Sequence, residues 1–239
     1  MKQIDDRALI GARNNADLYE AVFRAHGLRF RRPPHAFFAV DKPPPYYATV
    51  SLTAPIDPGS FLAELADTAS LHGRTLTVKD SFDQLDLGPF GFERLFTSQW
   101  IYRRAQPVAL PDGWRLIADA DELRAWEAGW RGSPLDTDAM FPPNLLDLAD
   151  IRFLGRANDG NFRAGCIANL SADCIGLSNV FDTDKSPEMF AEAALAAGSL
   201  DGNRPVVGYE RADTLDSARR IGFDAVGPLT VWSSSNAQF

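Results

Sequence analysis

The chain has 239 residues and a formal charge of −8, from 24 Lys+Arg against 32 Asp+Glu, which fits one large domain or two small ones. The negative balance argues against nucleic acid, because phosphate binding needs a basic stripe, and the longest basic cluster is Arg29, Arg31 and Arg32, followed at once by Pro33 and Pro34. Sixteen Phe, 5 Trp and 5 Tyr are too many aromatics for a solvated, disordered chain.

The first residues, Met1 to Arg7, carry no apolar stretch of the kind a secretory signal uses, and no run reaches the roughly 18 apolar residues of a membrane span. The cytoplasm is the expected address. Apolar residues Leu18, Tyr19, Val22 and Phe23 predict a helix over about 16–26, with Asn15 as cap and Gly27 as stop. Short strands are expected at Phe37–Val40 and Tyr46–Leu52. A helix with Phe61, Leu62, Leu65, Ala66 and Ala69 on one stripe follows the Asp57-Pro58-Gly59 turn. Leu76–Val78 reads as a strand, Lys79-Asp80-Ser81 as a helix start, and Phe92–Arg103 as a long aromatic strand. Pro107–Asp112 looks like a linker.

Beyond the linker the pattern restarts more regularly. Trp114–Ile117 is a strand, and Asp119 with Glu122 resembles a capping box ahead of Leu123, Trp126 and Trp130. A loop rich in Pro and Asp, Ser133 to Pro143, leads to a short helix near Leu145–Leu148. Three strands then run as a meander, 151–157, 161–170 and 174–181, joined by Asp159-Gly160 and Ser171-Ala172-Asp173. Ser186 and Pro187 are expected to open a helix that Gly198 ends. Pro205–Tyr209 reads as a buried strand, residues 212–221 as a helix, and Leu229–Trp232 as the last strand.

The two halves end alike. Val78 precedes Gly91-Phe92 by 13 residues and Trp100 follows after 8; Val207 precedes Gly222-Phe223 by 15 and Trp232 follows after 9. Such an echo suggests a duplicated unit, with chance similarity as the alternative. Alternating helices and strands favour a mixed α/β or α+β fold, α+β with a mixed sheet being the expectation.

Residues 110–235 resemble the GNAT family of N-acetyltransferases. Pro205–Glu210 looks like that family's fifth strand. Asp213–Phe223, an amphipathic turn running into Gly-Phe, is similar to its fourth helix, and Val226–Trp232 to its last strand. The resemblance implies two GNAT-like halves in tandem, a degenerate one over 1–106 and an acetyltransferase domain over 107–239. It also implies acetyl-CoA, or another acyl-CoA, as donor and a small amine as acceptor. The departures are specific. The family's loop after its fourth strand, Arg/Gln-x-x-Gly-x-Gly/Ala, holds pyrophosphate on backbone N–H groups. Here it reads Asp182-Thr183-Asp184-Lys185-Ser186-Pro187, with no glycine, two carboxylates, and only Lys185 and Ser186 as compensation. Where many members carry a Tyr acting as general acid, this chain has Ala218.

The resemblance places the pantetheine arm where the fourth and fifth strands part. Leu177, Ser178, Asn179 and Val180 would line one side, and Tyr209 and Glu210 the other. Burial at the end of an apolar strand would raise the Glu210 pKa and suit it as general base to an incoming amine. An ion pair with Arg211, or a cap on the next helix, is the alternative. Tyr209 could replace the missing acid or pack against Phe223; Ser178 and Asn179 could equally be turn residues. Cys166 and Cys174 read as small buried hydrophobes, and no metal site is expected. His26, before Gly27, is an ordinary helix-end cation, and Phe90, Phe92, Phe96 and Trp100 are expected at an interface between the halves. A catalytically silent GNAT-fold binding protein is the competing reading. The acceptor's identity and the oligomeric state are not legible in the sequence.

Overall fold

A computed structural model describes residues 3–133 and 139–239, the side chain of Asp213 excepted. It divides into two compact units: Met1–Trp100 with Val226–Phe239, and Ile101–Ala225. The boundary falls inside a strand, a few residues before the expected 106/107 division, and the end of the chain returns to the first unit. Part of the expected Ser133–Pro143 loop, residues 134–138, lies outside the described residues.

The first unit opens with α1 (Asp6–Ala25), capped by the Asp5 carboxylate on the Arg7 N–H and closed at His26 before left-handed Gly27. The helix begins ten residues earlier than its apolar spacing suggests. Its first half is buried through Ala8, Gly11 and Ala12, small residues that leave no large apolar stripe to read. Gly11 is required there: a Cβ would stand 2.9 Å from Trp100 Cε3. Asn15 lies within the helix and accepts the Lys79 ammonium at 2.8 Å instead of capping. Strands β1 (Phe30–Arg31), β2 (Ala36–Ala39) and β3 (Val50–Leu52) follow. The strand expected from Tyr46 is shorter because Tyr46 adopts φ 69° and is exposed.

Helix α2 (Pro58–Leu71) is capped by Asp57, whose side chain accepts the Ser60 N–H. Strand β4 (Leu76–Asp80) ends in a turn rather than a helix, because the buried Asp80 carboxylate accepts the N–H groups of Phe82 and Leu85 at 3.2 and 2.7 Å. Strand β5 (Glu93–Arg103) carries the unit boundary. The unit's sheet runs β1-β2-β3-β4 and then β11 (Asp224–Ser234), which pairs antiparallel with β4 from Leu76 to Asp80. Tyr19 and Phe23 of α1 pack with Phe30, Phe37 and Tyr47 in an aromatic cluster, mostly edge-to-face with Phe30 stacked on Phe37. Phe90 and Phe92 pack on Phe239, and Trp100 donates to the Ser81 carbonyl, all within this unit.

In the second unit β6 (Trp114–Leu116) leads into α3 (Ala120–Arg131). Asp119 accepts from the N–H groups of Asp121 and Glu122, while Glu122 reaches back to the Ala118 N–H, one residue beyond the cap. The meander β7 (Ile151–Asn158), β8 (Asn161–Leu170) and β9 (Ile175–Asp182) forms as expected. Its first turn, Asp159-Gly160, has φ 49° and 77°, the double left-handed geometry of a tight hairpin. Helix α4 (Met189–Gly198), β10 (Val206–Glu210) and α5 (Ala212–Arg220) complete the unit. Its sheet order is β10-β9-β8-β7-β6, with β9–β10 parallel and the rest antiparallel. The sheet is mixed, as an α+β chain requires. Ala193, Ala194, Ala196 and Ala197 give α4 an almost smooth buried face in a core with Phe190, Val206 and Phe223. Both cysteines are buried and unbridged, and burial pushes the Cys166 thiol up, away from thiolate chemistry. Among the described residues no helix is long and apolar enough to cross a membrane.

Candidate functional site

The second unit holds a fork between two parallel strands. The ladder joins β9 and β10 at Ile175↔Val206 and Gly176↔Val207 only, although the strands run on to Asp182 and Glu210. Continuing that register sets Ser178 opposite Tyr209 and Asn179 opposite Glu210, where no rung joins them. Gly208 stands at the branch. A Cβ there would lie 2.9 Å from the Leu177 carbonyl oxygen, so the strands are still in close contact one residue past their last rung. The sequence reading passed over Gly208; a glycine inside the run Val206-Val207-Gly208-Tyr209 was the available signal.

On its other edge β9 bulges. Ile167 pairs with Ser178 but Gly165 pairs with Phe181, a one-residue slip, and Asn179 takes φ 51° between them. Asn179 Nδ2 donates to Ser178 Oγ at 3.2 Å. The bulge turns β9 out of register at the residues that face the fork. Leu177 is buried, and Ser178, Asn179 and Val180 are half-buried.

Glu210 closes the shorter arm. Burial raises its carboxyl pKa, opposed by a hydrogen bond with the Thr214 side chain and by the charge of Arg211. Thr214 Oγ1 also lies 2.7 Å from the Arg211 carbonyl, so Glu210 is anchored to the first turn of α5. Of the sequence alternatives for this residue, the helix cap is not formed, since α5 begins without a side-chain cap, and Arg211 acts on Glu210 through its charge. Tyr209 is half-buried. Phe223 packs edge-on against Phe190, 5.9 Å between centroids, and takes the Arg103 guanidinium over its face at 5.2 Å. Ala218 is fully buried in the unit's core.

The loop beyond β9 is built around Asp182. One carboxylate oxygen accepts the Asp184 N–H at 2.8 Å and the other the Ser186 N–H at 2.7 Å. The Asp184 carboxylate binds the Arg163 guanidinium of β8, which lowers the acid's pKa and raises that of the base. Lys185 between them takes φ 54°. Ser186 does not cap α4. Its Oγ accepts the Glu188 N–H at 3.3 Å, and α4 starts at Met189 without a side-chain cap. Lys185 instead lines an open cleft of about 740 Å³ with Trp130, Arg131, Arg163 and Phe181. Of the expected residues, the structure brings Leu177, Ser178, Asn179, Val180, Tyr209 and Glu210 to the fork, and leaves Lys185 and Ser186 in the loop.

No protein-family model matches the sequence, and no curated protein does. Solved structures do match. Over 95% of this chain and 96% of the other, the fold is similar to a GCN5-related N-acetyltransferase from Kribbella flavida, at a TM-score of 0.67 and 15% identity. The chain has the GNAT fold. A GNAT-family putative acetyltransferase from Novosphingobium aromaticivorans is similar at TM-score 0.56 and 14% identity, covering 91% of this chain and 97% of that one. A conserved protein of unknown function from Staphylococcus epidermidis is similar at 0.61 and 11%, covering 87% and 94%. The Asp182 loop does not fit a pyrophosphate, because its inward N–H groups already end on a carboxylate.

Proposed function

We propose that the second unit is a GNAT-type acyltransferase that moves an acyl group, acetyl in the simplest case, from a pantetheine thioester to a small amine. The observation that carries this reading is the fork, where two parallel strands stop pairing beside a half-buried carboxylate whose pKa is raised. An arm laid along β9 would bond to backbone between Leu177 and Val180, which demands little of the side chains. A thioester supplies the activated carbonyl; the C–N bond to the amine forms as the C–S bond breaks. Glu210 takes the proton released by the amine, directly or through water, a role its raised pKa suits. Tyr209 is the group we assign to return a proton to the departing sulfur, because Ala218 stands where many members of the family carry that acid. Acetyl-CoA is the donor to test first. The first unit is read as a worn second copy of the same arrangement, supported by its α2–β4 succession and the Gly-Phe echo.

A second reading, a GNAT-fold binding protein without turnover, is favoured by Ala218 and by the Asp182 loop. Thiol release from acetyl-CoA and from acetyl-pantetheine, measured against a panel of small primary amines, decides between them. Amine-dependent release that Glu210→Gln abolishes supports transfer. Donor binding without release supports the silent protein, and release unchanged in Glu210→Gln removes that residue from its role.

A further inference from the structure

We infer that Asp182 closes the loop after β9 to phosphate, so that a donor held in the fork gains no affinity there from a pyrophosphate. The inference rests on the acyl-transfer reading only for its mention of the fork; the loop geometry stands without it.

A backbone anion site works by leaving several N–H groups convergent and unpaired. In this loop the N–H groups of Asp184 and Ser186 converge, at 2.8 and 2.7 Å, on the two oxygens of one carboxylate from the same chain. Pro187 has no N–H to add, and that of Glu188 is spent on Ser186 Oγ. The Thr183 N–H goes to the Arg163 carbonyl at 2.8 Å. An incoming phosphate must therefore displace a tethered anion, whose effective concentration far exceeds that of a dissolved ligand. The displaced carboxylate would remain beside it, with Asp184 two residues on. Arg163 is committed to Asp184, and Arg131, across the cleft, to Glu127 at 2.7 Å. Arg156, whose charge also reaches Asp184, is paired with Glu192 at 3.5 Å, so Lys185 stands against two carboxylates.

The test follows the amide resonances of Asp184 and Ser186 in the full chain as inorganic pyrophosphate is added, with CoA and pantetheine compared by calorimetry. In the native chain the amides should stay put at millimolar pyrophosphate, and CoA should bind no more than about threefold tighter than pantetheine. In Asp182→Ala both amides should shift saturably, with CoA preferred by about tenfold or more. Asp182→Asn, which keeps an acceptor but drops the charge, should fall between and serves if the alanine variant does not fold. Asp184→Ala leaves the internal carboxylate in place and should gain nothing. Saturable shifts in the native chain, a gain in Asp184→Ala equal to that in Asp182→Ala, or no gain in either Asp182 variant would overturn the inference. Failure of both CoA and pantetheine to bind the native chain would overturn the fork reading instead, since the pyrophosphate titration reports on the loop independently.

Discussion

Glu127, almost fully buried on α3, accepts the backbone N–H of Met140 at 2.7 Å, and its second oxygen that of Phe141 at 3.1 Å. Arg131, one turn along the helix, completes the arrangement from 2.9 Å. Phe141 is thereby held among Trp126, Trp130 and Phe153, with centroids 5.2 to 5.7 Å away. Removing the carboxylate leaves two buried donors and a cation without their acceptor. Glu127→Ala should cost about 3–5 kcal/mol in urea unfolding, and Glu127→Gln, which retains one acceptor oxygen, distinctly less. Equal losses would show that the acceptor is not what matters.

Asp80 gives the protein a pH dependence of its own. Burial, opposed by the backbone N–H groups it accepts, raises its pKa to about 6 from an ordinary value near 4. The folded form then holds a proton that the unfolded form has lost, so stability is complete below about pH 4 and declines as pH rises through about 6. The decline is on the order of 3 kcal/mol at about 1.4 kcal/mol per pH unit. Asp80→Asn should flatten the unfolding free energy across that interval. An unchanged slope would assign it to another group.

Gly165 tests the packing of β8. A Cβ there would lie 2.3 Å from Trp126 Nε1 and 2.5 Å from Phe181 Cε1, and that indole donates to the Leu154 carbonyl. Gly165→Ala should destabilise by about 3 kcal/mol or more, visible as a lowered urea midpoint with changed Trp fluorescence. A cost below about 1 kcal/mol would mean the sheet yields locally.

Glu210 carries a prediction on the proposed chemistry. With its pKa raised, the acid limb of kcat/KM should lie above the ordinary carboxylate range, because the base works only when ionised. Glu210→Gln should lose that limb together with most of kcat, by about 100-fold or more, while donor affinity changes little. A limb at the same pH in the variant would place the base elsewhere.

The second unit was more legible than the first, for a physical reason. Its helices and strands carry large apolar residues at regular spacing, and Asp159-Gly160 names its own turn. In α1 the buried face begins with Ala8, Gly11 and Ala12, which pack closely and leave almost no hydrophobic signal. Glu127 lies at the helical spacing of Leu123 and Trp130, on the buried face, yet as a charged residue it reads as solvated; only its backbone partners, distant in sequence, explain it. The fork's place came from the family resemblance, which sets it between the fourth and fifth strands. The occupation of the loop was not legible: two carboxylates and a missing glycine predict repulsion, whereas Asp182 folds inward and replaces the ligand.

The return of residues 226–239 to the first unit sets an order on synthesis. While a ribosome is still making the second unit, the nascent first unit has β4 but lacks its neighbour β11, so one side of that strand has unmet backbone groups. A premature stop just before Leu229 would therefore injure the part of the protein made first. Chains stalled through an added C-terminal linker long enough to expose Ser234 should protect β4 from proteolysis, and chains stalled short of that should not.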